Sequence, residues 1–241
     1  MAIYKNKLQE IIDKILPFKN RRQSMLKSIL PYSYLAEYLI NIPKLAKWEK
    51  KYHPEKVVKN RFLLYDYLNK EIIKNEKISY LEFGVFEGLT INYWSEINNN
   101  PKSRFVGFDT FTGLPEDWVA SPLSTHDNSE YNANGVIPKI SDKRISFIKG
   151  YFQKTLANFI DKTNLTSRLI IHSDSDLYSS TLFVLSKLDD YMAPGTIVIF
   201  DEFNSVLNEF RAFDDYSSSH MRDFKIICST PNLVQVAIEF V

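Results

Sequence analysis

From residue 78 onward the chain alternates between two kinds of segment, and this alternation restricts its possible folds more than any other feature. Apolar, β-rich segments fall at 78–83, 104–108, 145–148, 169–172 and 196–200. Helix-like stretches lie near 90–97, 152–160, 180–191 and 205–216. Strands separated by helices predict an α/β fold, a parallel sheet covered on both faces. Two last apolar segments, 225–228 and 234–240, lie too close together for a helical crossover. They are expected to form an antiparallel hairpin at the sheet edge. The stretch 114–142 breaks the rhythm: it is long and polar, with Pro115, Pro122, Gly135 and Pro138, and reads as a lid or substrate loop.

Residues 1–75 read differently, as a helical extension or cap in front of a domain spanning 76–241. Leu8, Ile11, Ile12 and Ile15 recur at helical spacing, and Pro17, Pro31, Pro43 and Pro54 cut the region into short helices. A further helix is expected over 57–73. The segment 1–60 carries 13 Lys/Arg against 5 Asp/Glu, and the remainder 17 against 24, so a basic cap precedes an acidic body. That cap reads as a solvated surface, a dimer or substrate-covering element, or an interfacial helix on an anionic membrane; Trp48 and the Tyr-rich stretch 32–38 suit the last. The net charge of +1 gives no global case for nucleic acid binding. A single cysteine, Cys228, excludes an internal disulfide, and no segment approaches 18 apolar residues. The expectation is a soluble, cytoplasmic protein.

Four motifs sit where such strands end, the edge at which open α/β sheets bind ligands. The first is Glu82-Phe83-Gly84-Val85-Phe86-Glu87-Gly88. A glycine turn there admits a close ligand approach, and the following helix N-terminus favours negative charge. The dinucleotide fingerprint G-x-G-x-x-G is absent. The second is Val106-Gly107-Phe108-Asp109-Thr110-Phe111, whose Asp109 follows Gly88 at the spacing that lets an acid reach ribose hydroxyls. The third is His172-Ser173-Asp174-Ser175-Asp176-Leu177-Tyr178. The fourth is Phe200-Asp201-Glu202-Phe203. Asp174, Asp176, Asp201 and Glu202 together are costly unless paired, solvated or bound to a cation, and hard oxygen donors suit Mg²⁺ or a similar divalent ion. Helix capping is the plainer account of the same acids.

With these motifs in order, the sequence resembles the macrocin/mycinamicin-type sugar O-methyltransferases, from about Tyr80 to Ile238. The resemblance rests on Leu81 to Gly88, Gly107 to Pro115, Gly150-Tyr151-Phe152-Gln153-Lys154-Thr155-Leu156, Asp174 to Thr181, Pro194-Gly195 and Asp201-Glu202. It implies a Rossmann-like class I methyltransferase sheet and S-adenosylmethionine as cofactor. Glu82, Gly84 and Asp109 would contact that cofactor, with Phe86, Gly88, Thr90, Thr110 and Asp174 in the same set. Gly150, Tyr151 and Phe152 would lie near the adenine. Asp174, Asp201 and Glu202 would hold Mg²⁺ or another divalent cation, and Asp176 would be the general base. Glu202 departs from the paired Asp of characterised sugar enzymes. The acceptor implied is a hydroxyl on a small molecule, of sugar or glycan-precursor type; no nucleic acid partner is expected, and a homo-oligomer is left open.

Two other classes compete. A non-catalytic S-adenosylmethionine-binding or regulatory protein needs no convergent acids. A nucleotide-sugar oxidoreductase lacks support from a G-x-G-x-x-G turn or a Tyr-x-x-x-Lys pair. Among the remaining residues, His126 is a candidate base or acceptor contact in the lid, and His172 is expected to be a packed polar residue. Tyr178 suits pocket or core. Glu209 and Arg211 are expected on a solvated or paired helix face, and Cys228 in a strand core.

Overall fold

The computed structural model describes residues 33–165 and 168–241. The helical pattern at Leu8–Ile15 and the breaks at Pro17 and Pro31 lie outside the described residues. Among the described residues the chain forms α1 (Ser33–Lys51), α2 (Arg61–Tyr67) and a π-helical continuation (Leu68–Ile73), then β1 (Ile78–Phe83), α3 (Leu89–Ile97) and β2 (Arg104–Asp109). A small hairpin of β3 (Trp118–Ser121) and β4 (Ser124–His126) follows. Then come β5 (Ile145–Lys149), α4 (Phe152–Lys162), β6 (Arg168–Ser173), α5 (Tyr178–Leu188), β7 (Ile197–Phe200), α6 (Glu209–Ser219), β8 (Phe224–Ser229) and β9 (Val236–Phe240).

Seven strands make one sheet in the order β5-β2-β1-β6-β7-β9-β8. The first five are parallel to one another; β9 runs antiparallel to both β7 and β8. The mixed sheet with its terminal hairpin is the one the segment rhythm predicts. β1 sits near the middle and all six of its residues are buried, as a strand covered on both faces requires. One face carries Leu81, Phe83, Ile171, Val198 and Phe200 against helices α4, α5 and α6. The other carries Tyr80, Ile170, Ile197 and Ile199 against Leu64, Tyr65, Leu68 and Trp94.

The described residues before β1 pack on the sheet at two points. Trp48 of α1 is 6% exposed and lies 4.8 Å from the Phe203 ring. Tyr65 and Leu68 lie fully buried on the opposite face. The helix expected from residue 57 starts at Arg61 instead. Residues 55–58 run beside β8: Glu55 N donates to Ile226 O (3.0 Å) and Val58 N to Ser229 O (2.9 Å). Asn60 then caps α2, its side chain accepting from Leu63 N at 3.0 Å. The last crossover helix likewise starts at Glu209 rather than near 205, after the turns of 205–208. No helix among the described residues is long and apolar enough to cross a membrane.

Candidate active site

The site begins at the turn after β1. Gly84 has φ +96°, and a Cβ there would lie 1.7 Å from the Asp174 carbonyl oxygen, so no side chain fits between the ends of β1 and β6. Gly84 N donates to Phe108 O and Asp174 N to Phe83 O, which binds the three strand ends into one rigid lip. Phe86 continues the turn at φ +50°, and Gly88 opens α3. Asp109, from the end of β2, reaches over this turn. Its carboxylate accepts from Val85 N (2.7 Å), Phe86 N (2.8 Å) and Phe111 N (2.6 Å). The predicted ribose acid therefore also fixes the glycine turn, with lone pairs to spare for a ligand.

Two adjoining hollows share Gly84, Asp109, Gly113 and Leu114. The smaller, about 40 Å³, is also lined by Thr110, Tyr151 and Phe152. The larger, about 360 Å³, is also lined by Phe86, Thr90, Asp174, Asp176, Asp201 and Glu202. The structure thus brings most of the predicted residues to one cleft. Glu82, Gly88 and Gly150 line neither hollow. Gly150, at φ +137°, turns the chain into α4, and its N donates to Asp109 O. Glu82 is fully buried below the lip, accepting from the Tyr80 hydroxyl at 2.5 Å. His172 lies beside this pair, with Nδ1 2.9 Å from Tyr80 Oη and 3.4 Å from Glu82 Oε2.

The acids converge as the sequence predicts, and burial governs their charge. Asp174 is pushed well above the usual carboxylate range by burial and then by Asp201 and Asp176. Burial, then Glu202 and Asp201, push Asp176 up to about 7. Glu202 is raised by burial and by Asp201. Asp176 is held at φ +60°, a backbone state that Asp tolerates better than most residues, and this presents it at the cleft. Asp201 accepts from Arg61 Nη1 at 3.1 Å through Oδ2, while its Oδ1 is buried without a partner. Burial disfavours the Arg61 charge, but Asp201 and Asp174 outweigh it and raise its pKa.

Arg61 and Tyr65 were not legible as site residues, because nothing in the sequence ahead of β1 marks them; only the fold carries α2 over the acids. Glu209 is a correction. Expected on a solvated or paired face, it is 1% exposed, pushed well above its usual range by burial, and accepts from Glu202 N at 2.8 Å. It is the first residue of its helix rather than a mid-helix position, and its carboxylate turns back onto the chain just after β7. Arg211 is paired with Glu37 at 2.7 Å and lies over the Tyr178 ring. Cys228 is buried, as expected.

Of the stretch 114–142, Leu114, Pro115 and Tyr131 line the hollows. The ring of Tyr131 meets Phe86 edge-on at 5.9 Å, and Trp118 stacks on His126 at 4.6 Å. His126 Nδ1 lies 2.9 Å from Glu130 Oε2. The loop is pinned by Leu114 N donating to Asn128 O and by Asn208 Nδ2 donating to Val119 O at 3.0 Å.

A glycine turn, a β2 acid and a carboxylate cluster on one sheet edge are the geometry on which the family comparison bears. A family model, macrocin O-methyltransferase (TylF), matches residues 66–227. The chain belongs to that family. It is accordingly an S-adenosylmethionine-dependent O-methyltransferase, and the fold agrees. The calicheamicin methyltransferase CalS11 is similar at 21% identity and TM-score 0.58, over 74% of this chain and 77% of that one. The O-methyltransferase NovP is similar at 19% identity and TM-score 0.55, over 74% and 78%. An O-methyltransferase from Bacillus cereus, solved with SAH, is similar at 12% identity and TM-score 0.50, over 98% and 97%. At such identities these structures bear on the fold alone. No curated protein matches. The matched range of the macrocin O-methyltransferase family starts after Arg61, so this cation comes from sequence outside it.

Proposed function

We infer that this methyltransferase acts on a hydroxyl of a sugar or glycan precursor, with a divalent cation bound at its carboxylate cluster. The carrying observation is the cluster itself: Asp174, Asp176, Asp201 and Glu202 line the same hollow as the glycine turn, and Arg61 meets them there. One guanidinium under-compensates four acids, and the buried, partnerless Oδ1 of Asp201 is a donor atom suited to a hard ion. Asp174, Asp201 and Glu202 are the residues that would hold it. A structure of CalS11 describes that protein as a TDP-rhamnose 3′-O-methyltransferase, which supports a sugar acceptor here.

S-Adenosylmethionine supplies an electrophilic methyl group, and a bound divalent ion supplies Lewis acidity that lowers the pKa of neighbouring hydroxyls. The protein's share is alignment and proton removal. The rigid lip of Gly84, Val85 and Phe86 seats the donor, while Asp109 and Thr110 line the part of the cleft suited to its ribose. Tyr151 and Phe152 line the part suited to adenine. Asp176, which lines the same hollow, would accept the acceptor hydroxyl's proton as the methyl group passes from sulfur to oxygen. Tyr131 lines the hollow and would help keep water from the reacting atoms.

The test uses methyl-labelled S-adenosylmethionine with a panel of nucleotide sugars and glycosides. Label on a sugar oxygen, with a rate that falls under EDTA and returns with added Mn²⁺ or Mg²⁺, is expected. Transfer indifferent to EDTA removes the cation; transfer only to nitrogen or to non-sugar hydroxyls removes the sugar.

A further inference from the structure

Adjoining the cleft at Arg61 is a third hollow, of about 530 Å³, that the chemistry proposed above does not use. One wall is residues 59–62, where the chain enters α2. The other is the turn between β8 and β9, with Thr230, Pro231, Val234 and Gln235. All of these positions lie outside the 66–227 match, so membership of the family does not account for the hollow. Arg61 lines both this hollow and the cleft. Gln235 ties the two together: its Nε2 donates to Asp201 O at 2.9 Å, and its Oε1 accepts from Thr230 Oγ1 at 2.9 Å.

The two spaces differ in charge. The cleft is lined by several acids, with Arg61 as their one cation. The third hollow is lined by two cations, Lys59 and Arg61, and by no acid. Lys59 is exposed and pairs with no acid among the described residues. The Arg61 side chain is 41% exposed; it donates to Asp201 and meets the Tyr65 hydroxyl. A guanidinium carries more donors than these two partners use, in a fork that suits phosphate. Next to the cations, Phe62, Pro231 and Val234 supply an apolar wall. A neutral substituent on the acceptor would make no use of the two charges, whereas a phosphate answers both.

We propose that this hollow is the subsite for a phosphate carried by the acceptor, so that the sugar is methylated as a glycosyl phosphate, with Arg61 and Lys59 on the phosphate and the group beyond it against Phe62 and Val234. The proposal rests on the sugar reading above and narrows it. Arg61 and Lys59 select the acceptor and take no part in methyl or proton transfer. A nucleoside diphosphate and a polyprenyl phosphate share the required chemistry, an anion followed by an apolar body.

Inorganic pyrophosphate is titrated by calorimetry into the full-length chain holding S-adenosylhomocysteine, with EDTA present so that no cation bridges the anion to the acids. One bound pyrophosphate is expected, its affinity falling as KCl is raised. Lys59→Glu and Arg61→Gln are each expected to weaken it at least about tenfold, and S-adenosylhomocysteine binding reports that the variants are folded. Uridine diphosphate and a polyprenyl phosphate in detergent micelles are titrated in the same way. The one bound at least about tenfold more tightly than pyrophosphate names the group on the apolar wall; equal affinity for all three removes that wall from the site. In the transfer assay, the phosphate ester of an accepted sugar is expected to show a KM at least about tenfold below that of its methyl glycoside, and Lys59→Glu to narrow the ratio. Pyrophosphate not bound at millimolar concentration, or bound equally by the variants, overturns the proposal and leaves the sugar reading standing. Equal KM values for ester and glycoside do the same. Transfer only to non-sugar hydroxyls overturns both.

Discussion

Asp176 and Gly84 show how single positions carry this site. Asp176 is lifted by burial and by two neighbouring acids, and its backbone is in the left-handed region. Asp176→Asn keeps the volume and removes the proton acceptor. Its kcat is expected to fall about 10²–10⁴-fold, with S-adenosylhomocysteine affinity by calorimetry unchanged; a weakened affinity with kcat intact would reassign the residue to binding. Gly84 stands against the Asp174 carbonyl, so Gly84→Ala forces two strand ends apart. A loss of about 1–3 kcal/mol in denaturant unfolding is expected, together with weaker cofactor binding. Both positions were legible in the sequence, since a glycine turn and a strand-terminal acid sit at fixed places in the chain. Glu209 was not. Its inward aim depends on where α6 starts after β7, and helix starts follow local turns that periodicity does not resolve.

At the scale of elements, the parallel strands were easy to read because burial on both faces makes them continuous apolar runs. The segment 114–142 was readable only as an interruption. Its hairpin is held by Trp118 stacked on His126 and by Asn208 bonded to Val119, the second a contact between positions far apart in sequence. Trp118→Ala is expected to raise the acceptor KM several-fold and leave cofactor affinity unchanged, in initial-rate measurements with each substrate varied; an unchanged KM would remove the hairpin from acceptor binding. Helix α2 depends on its cap. Asn60→Ala is expected to cost about 1 kcal/mol in urea unfolding, and because Arg61 is the next residue, the Arg61–Asp201 pair loosens with it.

At the scale of the molecule, the described helices ahead of β1 share the sheet's core. Trp48 reaches the aromatic cluster of Phe203, Phe210 and Phe224 on one face, while Tyr65 and Leu68 fill the other. Trp48→Ala is expected to destabilise the whole chain by about 3–5 kcal/mol in a single unfolding transition; a separate early transition would mark α1 as an independent unit. Cys228, on β8, reports on the same core. Burial pushes its thiol up to about 11. A thiol reagent at pH 8 is therefore expected to label it only after denaturation. None of this long-range packing was readable from a region whose composition shows only basic charge and scattered prolines.

The short run of chain at 55–58 lies along β8, and so ties the segment just ahead of Arg61 to a strand more than 160 residues further on, at 224–229. During synthesis that run leaves the ribosome with no neighbour to pair with. The glycine turn and the first acids can form while translation continues, but the guanidinium that answers Asp201 is fixed over them only when residues 224–229 have emerged. The cleft's charge balance is set at the end, when a stretch made early, at Val57, meets one made late, at Ser229.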